Sequence, residues 1–326
     1  MRNVLKPIVR AALAATALIA LSAGAHADVK KVRLDYAYYN PVSLILKDKG
    51  WVEEEFAKDG ITVEWVLSLG SNKALEFLNG RSIDFGSTAG AAALIARANS
   101  IPIKSIYVYS KPEWTALVTQ KDSPIKTVQD LKGKRVAVTR GTDPYIFLLR
   151  ALDQNKMTDK DIKVVLLQHP DGKTALERGD VDAWAGLDPY MAQIEVENGA
   201  RLFFRDADLN TYGVLNVREE FLNENPAIAS RVLAVYERGR KYALANPAEL
   251  RATLAKAAKL SDPVAAKQLE RTDLTKSAIG DTQREGILAA GLVLQKTGVI
   301  APDADVKALT NALIDTRFSA QVAAGK

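Results

Sequence analysis

The chain has 326 residues, with 44 Lys and Arg against 39 Asp and Glu, and 48% of it is hydrophobic. That is ordinary globular composition, long enough for one large or two medium domains, and it argues against a disordered chain and a polytopic membrane protein. With no Cys and two His, disulfides, thiolate metal sites, Cys nucleophiles and a lipid-bearing N-terminal Cys are excluded.

Residues 1–27 read as an export signal. Arg2, Lys6 and Arg10 form a basic start, 11–21 is a short apolar run, and Ala25-His26-Ala27 supplies a small-x-small cleavage pattern before Asp28. The run is shorter than the ~18–20 residues that span a bilayer. Cleavage leaves 299 residues at a formal +2, because the basic excess belongs mostly to the signal. A nucleic-acid partner has no electrostatic support. His169 is the one His of the mature chain, so a multi-His metal site is closed and neither metal nor cofactor is expected.

The mature region alternates strands and helices: a strand at 32–36, a helix at 41–56, a strand at 61–67, a helix at 72–78, a strand at 82–86, a helix at 91–98 and a strand at 104–109. The order restarts with a strand at 135–139, a helix at 144–152, a strand at 162–167, a helix at 171–178 and a strand at 181–185. Such alternation predicts an α/β fold. Within it, the stretch from Ala74 to Gly86 resembles that from Ala175 to Gly186. Both read as an amphipathic helix, a Gly stop (Gly80, Gly179) suited to a left-handed cap, and a short strand with an Asp (Asp84, Asp182) in a capping role. Two equivalent lobes follow, joined by crossover segments at 107–120 and 201–217. Helices at 226–245, 247–260, 262–271 and 281–298 close the chain, the second and third opened by Asn246-Pro247 and Asp262-Pro263. The expected division is 1–27 signal, 28–112 with 211–326 as lobe 1, and 113–210 as lobe 2.

Ligands of open α/β sheets sit beyond the carboxyl ends of the strands, against helix N-termini that favour anions. The segments expected there are Tyr38, Tyr39 and Asn40; Gly70, Ser71 and Asn72; Ser87, Thr88, Ala89 and Gly90; Arg140, Gly141, Thr142 and Asp143; and Asp188. Ser71, Thr88 and Asp143 also read as plain N-caps. Arg140 suits a bidentate contact to an oxyanion, or a solvated surface. Tyr38, Tyr39, Trp114, Trp184 and Tyr190 could wall an organic group, though Trp184 equally suits a core. Glu113, Asp143 and Asp188 would suit a ligand that also carries an amine.

Several segments together resemble the periplasmic substrate-binding proteins of ABC importers for nitrate, taurine and aliphatic sulfonates, the sulfonate branch most closely. They are Asn79-Gly80-Arg81-Ser82-Ile83-Asp84-Phe85-Gly86, Lys121-Asp122-Ser123-Pro124-Ile125, the run from Val128 to Val138, Glu177-Arg178-Gly179-Asp180-Val181-Asp182-Ala183-Trp184, and Asp188-Pro189-Tyr190. The resemblance covers roughly 32–260. It implies a two-lobed, type II clamp with two crossovers, lobe 1 holding the C-terminal helices. It also implies a periplasmic location, an aliphatic sulfonate as ligand, a membrane permease as partner, and a monomer that carries out no chemistry. The family's binding loops map by position onto 38–40, 70–72, 87–90, 140–143 and Asp188. The loops at 37–41 and 87–91 depart from the sulfonate pattern, which keeps a second reading open: a carrier of a thiamine-precursor pyrimidine or another small organic ligand. A different class, an enzyme on the same fold, would rest on His169 alone, for the chain has no Gly-x-Ser-x-Gly elbow and no metal-ligand spacing. A transcription regulator's sensing domain is set aside because no DNA-binding helix pair precedes residue 32.

Overall fold

The computed structural model describes residues 29–324. The expected signal at 1–27 and its junction with Asp28 lie outside them.

The first lobe opens with β1 (Lys31–Tyr36), α1 (Pro41–Lys49), α2 (Trp51–Ala57), β2 (Thr62–Leu67), α3 (Ser71–Asn79), β3 (Phe85–Ala89), α4 (Gly90–Ala98) and β4 (Ile103–Pro112). The chain then crosses into β5 (Leu117–Thr119), β6 (Arg135–Val138), α5 (Asp143–Gln154), β7 (Lys163–Leu166), α6 (His169–Arg178), β8 (Ala183–Ala185), α7 (Tyr190–Asn198) and β9 (Arg201–Phe204). It returns through β10 (Gly213–Arg218) to α8 (Glu219–Glu224), α9 (Pro226–Ala245), α10 (Pro247–Ala258), α11 (Asp262–Glu270), β11 (Thr272–Asp273), α12 (Asp281–Lys296), α13 (Val306–Leu313) and α14 (Ser319–Ala324).

One sheet has the order β11-β4-β10-β3-β1-β2 and the other β7-β6-β8-β5-β9. The duplication is explicit in this order. β1 pairs in parallel with β2 and β3, and β6 pairs in parallel with β7 and β8. In each sheet the next strand is antiparallel and arrives from a crossover: β10 beside β3, β5 beside β8. The helix-Gly-strand unit recurs as expected. The Asp84 carboxylate accepts from the Arg33 amide at 2.9 Å, and the Asp182 carboxylate accepts from the Arg135 amide at 2.7 Å. These carboxylates tie the start of each lobe's first strand, a structural task.

Three differences from the sequence reading have physical causes. The helix expected over 41–56 is broken at Gly50, whose φ of 65° is left-handed. Gly179 takes the left-handed cap at φ 77°, whereas Gly80 has φ −77° and Arg81 is left-handed instead. The third strand runs to Ala89, three residues beyond its expected end, because β10 pairs with Ser87, Thr88 and Ala89 and holds them extended. The crossover segments are also shorter than expected: β5, β9 and β10 lie inside them.

Buried apolar residues form a large core under the first sheet, reaching into the second lobe through α5, and a smaller one around Trp184 and Met191. The C-terminal helices pack on lobe 1, α9 and α10 against α1, and α12 and α13 against α4.

Candidate functional site

Four helix N-termini meet where the lobes face each other. On the first lobe, α3 and α4 start side by side, held together by the Ala89 amide donating to Ser71 Oγ at 3.0 Å. On the second, α6 starts at His169 and α5 at Asp143. Asn72 of α3 donates through Nδ2 to Gln168 Oε1 ahead of α6 at 3.3 Å, and a Cβ on Gly141, ahead of α5, would sit 3.6 Å from Asn72 Cβ. These helices are 9 to 12 residues long, enough to develop a partial positive charge of roughly +0.5 at each end. Their first amides lie ahead of the intrahelical ladder, and at α4 those of Gly90 and Ala91 are already taken by the Tyr212 carbonyl and Thr211 Oγ1. The strands deliver all four starts to one end of their sheets because β1–β3 and β6–β8 run parallel, so every strand-to-helix turn falls on the same side.

Beneath this convergence lies a buried polar floor. Asn40 caps α1 and donates to Ser87 Oγ at 2.8 Å, and Tyr39 donates to the Ser87 carbonyl at 3.0 Å. Ser87 donates its amide and its hydroxyl to Asp35 Oδ1, each at 2.8 Å. Thr88 Oγ1 accepts from Asn216 Nδ2 at 2.8 Å, and the Gly90 amide donates to the Tyr212 carbonyl at 2.9 Å. Tyr39, Asn40, Ser87 and Thr88 are therefore committed to shaping the floor.

Tyr38 is half-buried and its carbonyl accepts from Gln268 on α11 at 2.7 Å. Across from it, burial first, then Tyr38 and Asp171, push the Tyr190 hydroxyl up to about 12. Tyr38 packs against the apolar cluster of Leu44, Leu254 and Ala265, and Tyr190 against the second lobe's core.

Other expected site residues have different work. Trp184 is wholly buried in the second lobe's core, and Gly172 of α6 is packed so closely on it that a Cβ there would lie 2.6 Å from Nε1. It is a packing residue and walls no ligand. Asp143 accepts from Trp114 Nε1 at 2.8 Å on the outgoing crossover, and from the Thr211 amide at 3.0 Å and hydroxyl at 2.7 Å on the returning one. It fastens α5 to both crossovers. Asp188 receives Arg271 in a bidentate pair at 2.7 and 2.9 Å, and the Ala192 amide at 2.9 Å. Burial alone would lower the Arg271 pKa, but Asp188 outweighs it and raises it. Glu113 is held by Arg205 through two contacts of 2.7 Å. The expectation of carboxylates free to take an amine is thus corrected: each already has a donor. Thr142 donates to the Thr139 carbonyl at 2.6 Å, shaping the turn before α5. Arg140 is exposed, its guanidinium 5.6 Å from the Tyr145 ring centroid. It lines a pocket of ≈560 Å³ with Gly141, Asn99 and Thr297, on the flank of the convergence.

The residue that the ligand-site reading missed is His169. It is fully buried, the first residue of α6, and burial pushes its pKa down to about 3. The signal was in the repeat: Gln168-His169 opens the second-lobe helix as Gly70-Ser71-Asn72 opens the first-lobe one. Among the described residues, no group of three or more His, Cys, Asp or Glu could hold a metal ion, and no helix is long and apolar enough to cross a membrane.

The profile of the family described as NMT1/THI5 like matches residues 43–250. A protein of Escherichia coli (strain K12) named "Putative aliphatic sulfonates-binding protein" is 30% identical over 275 residues, which are 83% of this chain and 84% of that one. Among solved structures, the periplasmic aliphatic sulphonate binding protein SsuA from Escherichia coli aligns at a TM-score of 0.74 and 26% identity, over 86% of this chain and 96% of its own. The alkanesulfonate-binding protein SsuA from Xanthomonas axonopodis pv. citri, bound to MOPS, aligns at a TM-score of 0.80 and 21% identity, over 88% and 98%.

Proposed function

This chain belongs to the NMT1/THI5-like family, and on that premise we propose that it is the exported solute-binding component of an ABC importer, closing on a small organic anion, an aliphatic sulfonate, between its two lobes. The observation that carries this reading is the meeting of the α3, α4, α5 and α6 N-termini across one gap. A sulfonate is ionised at every physiological pH and offers three acceptor oxygens, so it needs donors and no matched base. Hydrogen bonds to a charged group contribute about 1.5–3 kcal/mol each, and a helix terminus up to ~2 kcal/mol in a partly buried setting. A handful reaches the ~8 kcal/mol of micromolar binding after ordering costs. The sulfonate-binding names of the Escherichia coli relatives support the same ligand class.

In this reading the first sheet with the C-terminal helices, 28–112 and 211–326, is one jaw, and 113–210 is the other. The binding set is Gly70, Ser71 and Asn72 with Gly141 and Thr142, and with Tyr38 closing the side. Residues 1–27 direct export to the periplasm and are removed, and with no Cys in the chain the product carries no lipid there. It acts as a monomer that hands its cargo to a membrane permease and performs no reaction.

Thermal-shift measurements with alkanesulfonates, taurine, nitrate and aminopyrimidines test the ligand class. Sulfonates are expected to raise the melting temperature by several degrees at millimolar concentration. Stabilisation by aminopyrimidines alone would overturn the reading in favour of the pyrimidine carrier, and turnover abolished by His169→Ala would revive an enzyme.

A further inference from the structure

The two lobes touch at a seam built on a residue without a side chain. Gly70 lies ahead of α3 on the first lobe, and His169 opens α6 on the second. A Cβ placed on Gly70 would lie 2.9 Å from His169 Nε2, 3.1 Å from its Cδ2 and 2.8 Å from Asn72 Oδ1. The imidazole is therefore seated directly on the Gly70 backbone. Gly70 has an extended backbone, φ 171°, so it is His169 and not backbone strain that bars a side chain there. The other edge of the ring stays within its own lobe. Nδ1 lies 3.2 Å from Thr139 Oγ1, whose single proton goes to the Leu167 carbonyl at 2.7 Å. Thr139 thus accepts from Nδ1–H, and Nε2 is left as a lone pair, buried without a partner against the opposite lobe.

When the lobes part, the edge of the ring that rests on Gly70 meets water, while the Thr139 edge stays covered. Nε2 can then accept from water or take a proton; against Gly70 it can do neither. No neighbouring charge takes the place of that solvation. On the elements packed against the ring, Lys73 pairs with Glu76, Lys173 with Glu177, Arg135 with Asp182, and Glu195 with Arg271. Asp143 is held by Trp114 and Thr211, and Arg140, Asp171, Arg178 and Glu197 are exposed. The Tyr190 hydroxyl of α7, pushed up to about 12, stays neutral.

We infer that Gly70 and His169 are positioning residues for capture: their contact gates closure of the lobes, and protonation of His169 in the parted form opposes it. This rests on the reading of a clamp that closes on a sulfonate, and it adds the residues that govern closing. Burial is the one cause acting on the ring at the seam, and it lowers the pKa from 6.5 to about 3. The parted form therefore takes up a proton below about 6.5 that the closed form refuses down to about 3. Closing releases that proton, so affinity falls as pH drops through this interval.

Isothermal titration of the exported form with ethanesulfonate tests this, because a sulfonate keeps its charge across the range. Affinity is expected to be level above about pH 7 and roughly 30-fold weaker at pH 5, as protonation of a group with a pKa of 6.5 requires. His169→Gln, which does not titrate, is expected to bind equally at pH 8 and pH 5. Asp35 also titrates in this range, but its Ser87 partner lies in its own lobe, and that variant retains it. Gly70→Ala is expected to weaken binding at pH 8 by about 10-fold or more by propping the lobes apart. Adding His169→Ala to Gly70→Ala is expected to recover most of that loss. Should Gly70→Ala fail to fold by circular dichroism, the pH profiles of wild type and His169→Gln decide. Equal affinity at pH 8 and pH 5, the same pH dependence in His169→Gln, or full affinity in Gly70→Ala overturns this inference and leaves the sulfonate reading standing. Absence of binding at pH 8 by ethanesulfonate and by longer alkanesulfonates removes both.

Discussion

Two buried titratable side chains near the gap shift in opposite directions, and each ties stability to pH. Asp35 accepts two hydrogen bonds from Ser87 on Oδ1, while Oδ2 has no partner. Burial raises its pKa from 3.8 to about 6, against the lowering effect of the serine bonds. A raised pKa means that Asp35's contribution is fully present below pH 3.8 and is lost as pH rises through about 6. Asp35→Asn keeps the acceptor facing Ser87 without the charge. It is expected to be more stable than wild type by about 3 kcal/mol at pH 8, with the difference vanishing near pH 4, as read by urea unfolding at both pH values. His169 has the opposite sign. Its pKa falls from 6.5 to about 3, so its contribution is present above pH 6.5 and is lost as pH falls towards 3. The two windows overlap between pH 3.8 and about 6 and offset each other there, so Asp35→Asn is expected to steepen the loss of stability as pH falls through that range.

The helices that open at the gap are positioned by side chains doing capping and fastening work. Asp143 is the clearest case. One carboxylate at the start of α5 takes donors from Trp114 and Thr211 on the two separate crossovers, so this helix cannot shift without disturbing both connections. Asp143→Ala strands three buried donors, and the expected loss is about 3 kcal/mol of stability, measured by urea unfolding. Asp84 and Asp182 do the equivalent fastening at the first strand of each lobe. A sequence repeat of modest length thus corresponds to a repeated mechanical joint.

Across the whole molecule, the lobes are held by a buried ionic cluster beside the crossovers as well as by the polar contact at Asn72. Arg271, following α11, reaches Asp188 and also Glu195 of α7 at 3.0 Å. A buried pair of this kind contributes little net stability, but removing one partner leaves a charge without compensation. Arg271→Met is expected to destabilise by about 3–5 kcal/mol. The double variant Arg271→Met with Asp188→Asn should recover most of that loss, as a double-mutant cycle of urea unfolding would measure. Full additivity of the two single losses would show that the pair does not couple the lobes.

The alternation of strands and helices, the repeat, the two crossovers and the helical C-terminal region could all be read from residue order. Each depends on local periodicity and on Gly, Pro and capping signals that act within a few residues. The loops bearing Gly70, Ser71, Asn72 and Gly141 could be placed at strand ends for the same reason. Which side chain in those loops remains available could not be read, since availability is a matter of partners distant in the chain. Asp188 looked free until Arg271, 83 residues on, was packed beside it. Trp184 suited a wall or a core until α6 covered it, and His169 looked like a lone candidate base until burial enclosed it. Local sequence dictates where a helix begins because the hydrogen bonds that start it are short-range. Only the folded chain decides which charges are neutralised and which polar groups find a partner, because those depend on desolvation and on contacts made between lobes.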